Sequence, residues 1–252
     1  IKVGEEMIDE PLKFAGGLTK HSYFNQDGKV RIDDKEALMH SSNVYMFKTA
    51  LKLAGSPYTP NMSLPTDITS AGQKLRKGLN QVGLGVKTGI DLPNETNGQI
   101  EPLTDNPGNY LDLAIGQYDT YTPMQLSQYV STIGNNGYRV QPHVGLEIRK
   151  ATNKETLGPV KEKVKGQVLN KVNNTQNEVN EVQEGFKMAF NEKDGTGYQS
   201  FKDTEVPSAG KTGTAEVFQD GEPRVNSTYI GYAPIKNPQL AFSIVYTNQP
   251  VP

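Results

Sequence analysis

The chain has 252 residues, 26 basic and 28 acidic side chains, a net charge of −2, no cysteine and three histidines. Without cysteine there are no disulfides, thiolate metal sites or cysteine nucleophiles, and the balanced charge with no basic patch argues against a nucleic-acid partner. His21, His40 and His143 share no metal-ligand spacing and no stretch approaches the ~18 apolar residues of a membrane span, so no metal, cofactor or membrane helix is expected within these residues.

The first 32 residues are Gly-rich and irregular, with turn signals at Gly16-Gly17 and Asn25-Gln26-Asp27-Gly28. Acidic residues at the front of 33–40 and His40 at the back predict a short helix. Ser41-Ser42-Asn43 interrupts it, and 44–53 reads as a second helix closed by Gly55. The Ser-x-Asn triplet is therefore expected on a turn between two helices, where short polar side chains can face a cleft. Residues 69–79 are helical in character, ended by Gly83-Leu84-Gly85, and Gly89-Ile90-Asp91-Leu92-Pro93 reads as a strand running into a turn. Residues 111–117 lead into Thr122-Pro123, a cap and first-turn proline for a helix over 125–133. Leu126, Tyr129, Val130 and Ile133 share one face of it, and Asn135-Asn136-Gly137 stops it. The polar stretch 150–176 reads as a loop or a strand-edge excursion, 179–190 as a further helix and 192–205 as a Gly-rich loop.

From Lys211 the pattern changes to strands: 211–218, a turn at Asp220-Gly221, then 225–232 and 240–246. A mainly helical lobe with loops over 1–205, followed by antiparallel strands over 206–252, makes the expected class α+β. Both ends of the chain read as cut, so a longer protein, with any membrane anchor outside this segment, is expected.

The chemistry concentrates in Gly210-Lys211-Thr212-Gly213-Thr214-Ala215-Glu216 and in Ser41-Ser42-Asn43 far upstream. A Lys-Thr-Gly strand paired with a distant Ser-x-Asn turn makes two of the three parts of an enzyme that acylates itself on serine. Lys211 offers an ammonium at the head of a strand, able to bind a substrate carboxylate and to hold a neighbouring hydroxyl ready for proton transfer. Thr212 and Thr214 share a strand face. Gly213 leaves a substrate backbone room to lie against the strand edge, with the Thr214 N–H as one oxyanion donor. Ser41 can relay a proton, and the Asn43 amide can grip a peptide group. Each motif alone has an ordinary reading, a strand start for Lys211-Thr212-Gly213 and a helix cap for Ser41-Ser42; the pairing in this order is what points to chemistry. A phosphate loop around Gly210-Lys211-Thr212 fails, because it needs Gly where Glu205 stands.

The chain resembles the second part of the transpeptidase domain of class B penicillin-binding proteins, and within that family the Gram-positive enzymes of the cell-elongation type. The matching pieces are Met39-His40-Ser41-Ser42-Asn43-Val44-Tyr45, Gly83-Leu84-Gly85 with Thr88-Gly89-Ile90-Asp91-Leu92-Pro93, and Ala114-Ile115-Gly116-Gln117. They continue in the family's order with Tyr121-Thr122-Pro123-Met124-Gln125-Leu126, Asn135-Asn136-Gly137 and the Lys211 strand. The resemblance implies the fold shared by these proteins and the serine β-lactamases, an antiparallel sheet flanked by helices, incomplete in this chain. It implies D,D-transpeptidation: a serine attacks the D-Ala-D-Ala stem peptide of peptidoglycan, expels D-Ala and passes the acyl group to an amine, while β-lactams acylate the same serine. Ser41, Asn43 and Lys211 carry over as catalytic positions, Thr212, Gly213 and Thr214 as substrate- and β-lactam-binding ones, and Gln117 as a weaker candidate. The implied setting is the outer face of the bacterial cell membrane, beside a membrane glycosyltransferase. A D,D-carboxypeptidase, or a β-lactam-sensing or non-catalytic module, are the alternatives on the same fold.

The departure from the pattern is the nucleophile. The family's Ser-x-x-Lys is expected ahead of Ile1, on an upstream segment or a companion chain. The string Ser208-Ala209-Gly210-Lys211 is rejected, because the serine and lysine must share a helix face, whereas in an extended chain they stand roughly 10 Å apart along the strand.

Overall fold

The structure, a computed structural model, describes residues 2–103 and 106–251. In chain order its elements are β1 (Met7–Asp9), β2 (Leu12–Lys13), β3 (Thr19–Lys20), β4 (Val30–Ile32), α1 (Asp34–His40), α2 (Asn43–Leu53), α3 (Thr69–Gln81), α4 (Pro107–Ala114) and α5 (Pro123–Gly134). There follow β5 (Tyr138–Val140), β6 (Glu147–Arg149), β7 (Val160–Lys163), β8 (Val168–Lys171), α6 (Gln176–Asn191), α7 (Tyr198–Phe201), β9 (Ala209–Gln219), β10 (Glu222–Ala233) and β11 (Leu240–Pro250).

The last three strands form an antiparallel sheet in the order β11-β10-β9. Asp220 and Gly221, both at positive φ, turn β9 into β10. Thr214 lies opposite Ser227, Gly213 opposite Thr228 and Lys211 opposite Ile230. Among the described residues the outer edge of β9 pairs with no strand. Helices α5 and α6 cover the sheet: Val130 and Ile133 of α5 and Phe186 of α6 close a core with Ala209, Ile230 and Tyr232, with Leu126 and Tyr129 packed against it. The expected apolar face of the α5 helix is thus the face that meets the sheet. Thr122 caps α5 and Gln125 bonds back to the Thr122 N–H, with Pro123 in the first turn.

The helical lobe has its own core, Leu12, Phe14, Val44, Phe47, Leu51, Ile68, Tyr110 and Leu111 among them, built from α2, α3, α4 and the first loops. Tyr110 is fully buried and its hydroxyl donates to Ala50 O at 2.8 Å, which joins α4 to α2.

The structure departs from the sequence reading in four places and decides between two readings in a fifth. The first 32 residues hold four short strands, paired β1 with β4 and β2 with β3. Residues 89–93 form no strand. Their polar groups go to side chains instead of a ladder: Gly89 N–H donates to Glu95, Gly89 O accepts from Gln141 Nε2, and Asp91 reaches across to the Val144 and Gly145 N–H groups. Residues 107–114 are helical, capped by Asn106 with Pro107 in the first turn, a signature readable from the sequence that the lead-in reading of 111–117 overlooked. Of the loop and the strand-edge excursion expected for 150–176, the strand reading holds in part: the stretch contributes β7 and β8, paired with β6 and β5. The 192–205 loop contains the single turn α7, whose Phe201 stacks on Phe190 with centroids 3.9 Å apart.

Candidate active site

The site begins with a helix that must stop. Asp33 and Glu36 cap α1 reciprocally, and α1 ends at Ser41, whose φ of 57° and ψ of 51° are left-handed. That conformation costs a non-glycine residue roughly 1–2 kcal/mol and clusters at functional sites. Ser42 follows as the cap of α2, accepting the Tyr45 N–H at 2.9 Å, and Asn43 opens the helix. Ser-x-Asn therefore lies on the turn between two helices, as its sequence context predicts.

The opposite wall is β9. Lys211 Nζ donates to Ser41 Oγ at 2.9 Å and to Thr212 O at 2.8 Å. Burial pushes the Lys211 ammonium down from its ordinary 10.5 to about 8. An amine in that range is a usable proton donor and acceptor near neutral pH, and its contact is the hydroxyl on the far wall. The two motifs nominated from sequence thus touch directly.

Beside them opens a cleft of about 270 Å³ lined by Asn43, Phe47, Gln117, Glu216 and Tyr23. Gln117 is presented by a turn at Gly116, whose φ is 78°, and its N–H donates to Asp112 O at 2.9 Å. The segment after Gln117 is anchored by Asp119, which accepts two hydrogen bonds from Arg76, at 2.9 and 2.7 Å. Across the cleft Tyr23 Oη donates to Glu216 Oε1 at 2.7 Å, a second link between the lobe and β9. Thr212 Oγ1 donates to Thr196 Oγ1 at 2.8 Å, so Thr212 is tied to the 192–205 loop, while Gly213 and Thr214 lie exposed on the strand. Thr196, Tyr23 and Glu216 carried no sequence signal beyond, for Glu216, its place at the end of the Lys-Thr-Gly stretch. Ser208, of the rejected Ser-x-x-Lys string, donates to Val206 O at 3.1 Å, and Ala209–Gln219 is extended strand.

The two glycines of the strand stand in different surroundings. A Cβ on Gly210 would lie 2.1 Å from Ile230 O and 2.7 Å from the Phe190 ring. A Cβ on Gly213 meets only Thr228 Cβ, at 3.7 Å, an ordinary contact. Gly210→Ala is expected to cost at least about 1–3 kcal/mol, the range for an overpacked core, whereas Gly213→Ala leaves the midpoint of thermal unfolding in place. Calorimetry on the two variants checks the contrast; equal midpoints would remove the packing role of Gly210.

Comparison with known proteins gives a consistent result. Residues 1–250 match the family described as the penicillin-binding protein transpeptidase domain. The chain is 47% identical over 246 residues to penicillin-binding protein H of Bacillus subtilis, covering 94% of this chain and 34% of that protein. It is 39% identical over 247 residues to penicillin-binding protein 2B of Streptococcus pneumoniae, covering 96% of this chain and 36% of that protein. The solved structure of penicillin-binding protein 2B from Streptococcus pneumoniae strain R6 superposes with a TM-score of 0.93 at 37% identity, covering 99% of this chain and 41% of that one. The chain thus spans about a third of the length of these curated relatives.

Proposed function

Because this chain belongs to the penicillin-binding-protein transpeptidase family, we propose that it forms the Ser-x-Asn and Lys-Thr-Gly walls of a D,D-transpeptidase that cross-links peptidoglycan stem peptides through an acyl-serine intermediate. The observation that carries this reading is the 2.9 Å hydrogen bond from Lys211 to Ser41 across the cleft.

The attacking serine and its lysine come from a Ser-x-x-Lys segment outside these residues, whose serine reaches the cleft beside Asn43 and Gln117. The serine gives its proton to the lysine of its own segment as its oxygen adds to the carbonyl of the penultimate D-Ala, and the Thr214 N–H is one of the donors facing the oxyanion. Lys211, with a proton affinity lowered by burial, passes a proton through Ser41 Oγ to the departing D-Ala nitrogen. Asn43 and the outer edge of β9 hold the donor peptide in extended form, with Gly213 leaving its backbone room. An amine of a neighbouring strand then attacks the acyl-serine, and the same groups take its proton. A β-lactam enters by the first half of this path and stays as a stable acyl-enzyme.

No helix among the described residues is long and apolar enough to cross a membrane. The working location is the outer face of the bacterial membrane, with anchor and nucleophile supplied by the segment outside this chain and a membrane glycosyltransferase as neighbour. Intact-mass measurement after incubation with benzylpenicillin tests the reading on the enzyme carrying its Ser-x-x-Lys segment. One covalent penicilloyl adduct, mapping to that serine, is expected; no adduct overturns the proposal.

A further inference from the structure

One buried acid has no part in the chemistry above. Asp9, at the end of β1, is 1% exposed, and its carboxylate is surrounded by donors. Ser22 Oγ donates to Asp9 Oδ2 at 2.6 Å and Ser42 Oγ donates to the same oxygen at 2.5 Å. Asn25 Nδ2 donates to Asp9 Oδ1 at 2.9 Å and to Asp9 O at 2.8 Å. Ser22 and Ser42 are themselves 0% and 1% exposed.

The direction of these bonds is informative. Each hydroxyl has a single proton, and here both point at one carboxylate oxygen. Their lone pairs are left to accept the first N–H groups of α2: Val44 N donates to Ser22 Oγ at 3.1 Å and Tyr45 N to Ser42 Oγ at 2.9 Å. The acid thus sets the orientation of two hydroxyls, and these hold the first turn of α2, with the negative charge at the favourable end of the helix. The residues flanking Ser42 are Ser41, bonded to Lys211, and Asn43, on the cleft. The same acid fixes the turn made by Ser22 and Asn25, which carries Tyr23 to Glu216 on the other wall. A substitution at Gly28 would disturb this base too, since a Cβ there would lie 2.2 Å from Asn25 Oδ1.

We infer that Asp9 is a positioning residue for the acylation step: by orienting Ser42 and Ser22 it fixes the left-handed turn that presents Ser41 to Lys211 and Asn43 to the substrate. Asp9 touches neither substrate nor nucleophile; it acts through Ser42. The inference rests on the transpeptidase reading above.

The test is acylation of the full-length enzyme by a fluorescent penicillin, with the affinity of the reversible complex separated from the rate constant of acylation by varying ligand concentration well below the melting temperature. In Asp9→Asn, one acceptor oxygen becomes a donor facing the Asn25 amide, and the acylation rate constant per folded molecule is expected to fall about 10–100-fold while the affinity of the reversible complex changes less than threefold. Ser22→Ala, a milder lesion, is expected to lower the same constant about 3–10-fold, and combining it with Asp9→Asn adds little, because the two act as one unit. A lower melting temperature with an unchanged rate constant in either variant makes Asp9 a stability element only and overturns the inference. Should Asp9→Asn fail to fold, Ser22→Ala decides by the same criterion. Failure of the unsubstituted enzyme to be acylated would instead strike the transpeptidase reading.

Discussion

Replacing Lys211 with methionine is expected to lower β-lactam acylation of the enzyme by ~10²–10⁴-fold, the span of a positioned proton-transfer group, while leaving the melting temperature at pH 7.5 unchanged or raised. The two halves of this expectation have one cause. Burial disfavours the ammonium and lowers it to about 8, so at neutral pH the folded chain carries a charge in a place that solvates it poorly. Methionine keeps the straight apolar stem and removes that cost, together with the proton and the grip on Ser41. The pH dependence follows by linkage. Because the folded value lies below the ordinary 10.5, the cost is fully present below about pH 8. It is relieved as the pH rises towards 10.5, where the unfolded chain still holds the proton that the folded chain has released. The stability difference between wild type and Lys211→Met should therefore shift in favour of wild type across that window. Melting curves at a series of pH values, run beside penicillin-binding rates, check both parts. Retained acylation in the variant would remove Lys211 from the chemistry.

Asp119→Ala is expected to destabilise the protein by about 3–5 kcal/mol, the range for a buried ion pair that loses one member. Asp119 has a side chain 1% exposed and receives Arg76 through Nε and Nη2, while Arg76 also donates to Glu101 O and the Glu101 N–H donates to Asp119. Removing the carboxylate strands a guanidinium among half-buried groups and unties α3 from the segment that follows Gln117. The exposed pair Lys187–Glu184, with side chains 43% and 46% exposed, is the control, and Glu184→Ala should stay within about 1 kcal/mol. Urea unfolding of both variants separates the cases; equal, small effects would show that the Arg76–Asp119 pair is no anchor.

The strands over 209–250 and the helices at 34–53 and 123–134 were legible because their signals are local. The acidic residues that open 33–40, Thr122 with Pro123, and Asp220 with Gly221 each state where an element starts or turns, and each does so in the structure. The meeting of Ser41 with Lys211 was legible only as a pairing of motifs, since nothing local relates positions so far apart. Residues 89–93 misled the reading because their composition suits a strand, whereas side chains from elsewhere in the fold, Gln141 among them, take the hydrogen bonds a partner strand would have taken. Asp9 left no trace in sequence at all: a single acid in a short strand gains its meaning only when Ser22, Asn25 and Ser42 arrive from three other places.

The outer edge of β9, which pairs with no strand among the described residues, has a cost beyond the proposed reaction. A row of backbone donors and acceptors open to the extended peptide proposed above is a template for any extended chain, including the same strand of another copy. The usual protections, a covering helix or a proline, would also shut out the proposed peptide substrate. Composition works against such pairing instead: Glu216 puts a charge and Gly213 a residue of poor strand propensity on the exposed part of the strand, which suits an 11-residue strand poorly to stacking on copies of itself. Gly213, proposed above to leave a peptide room, would thereby also disfavour pairing between copies.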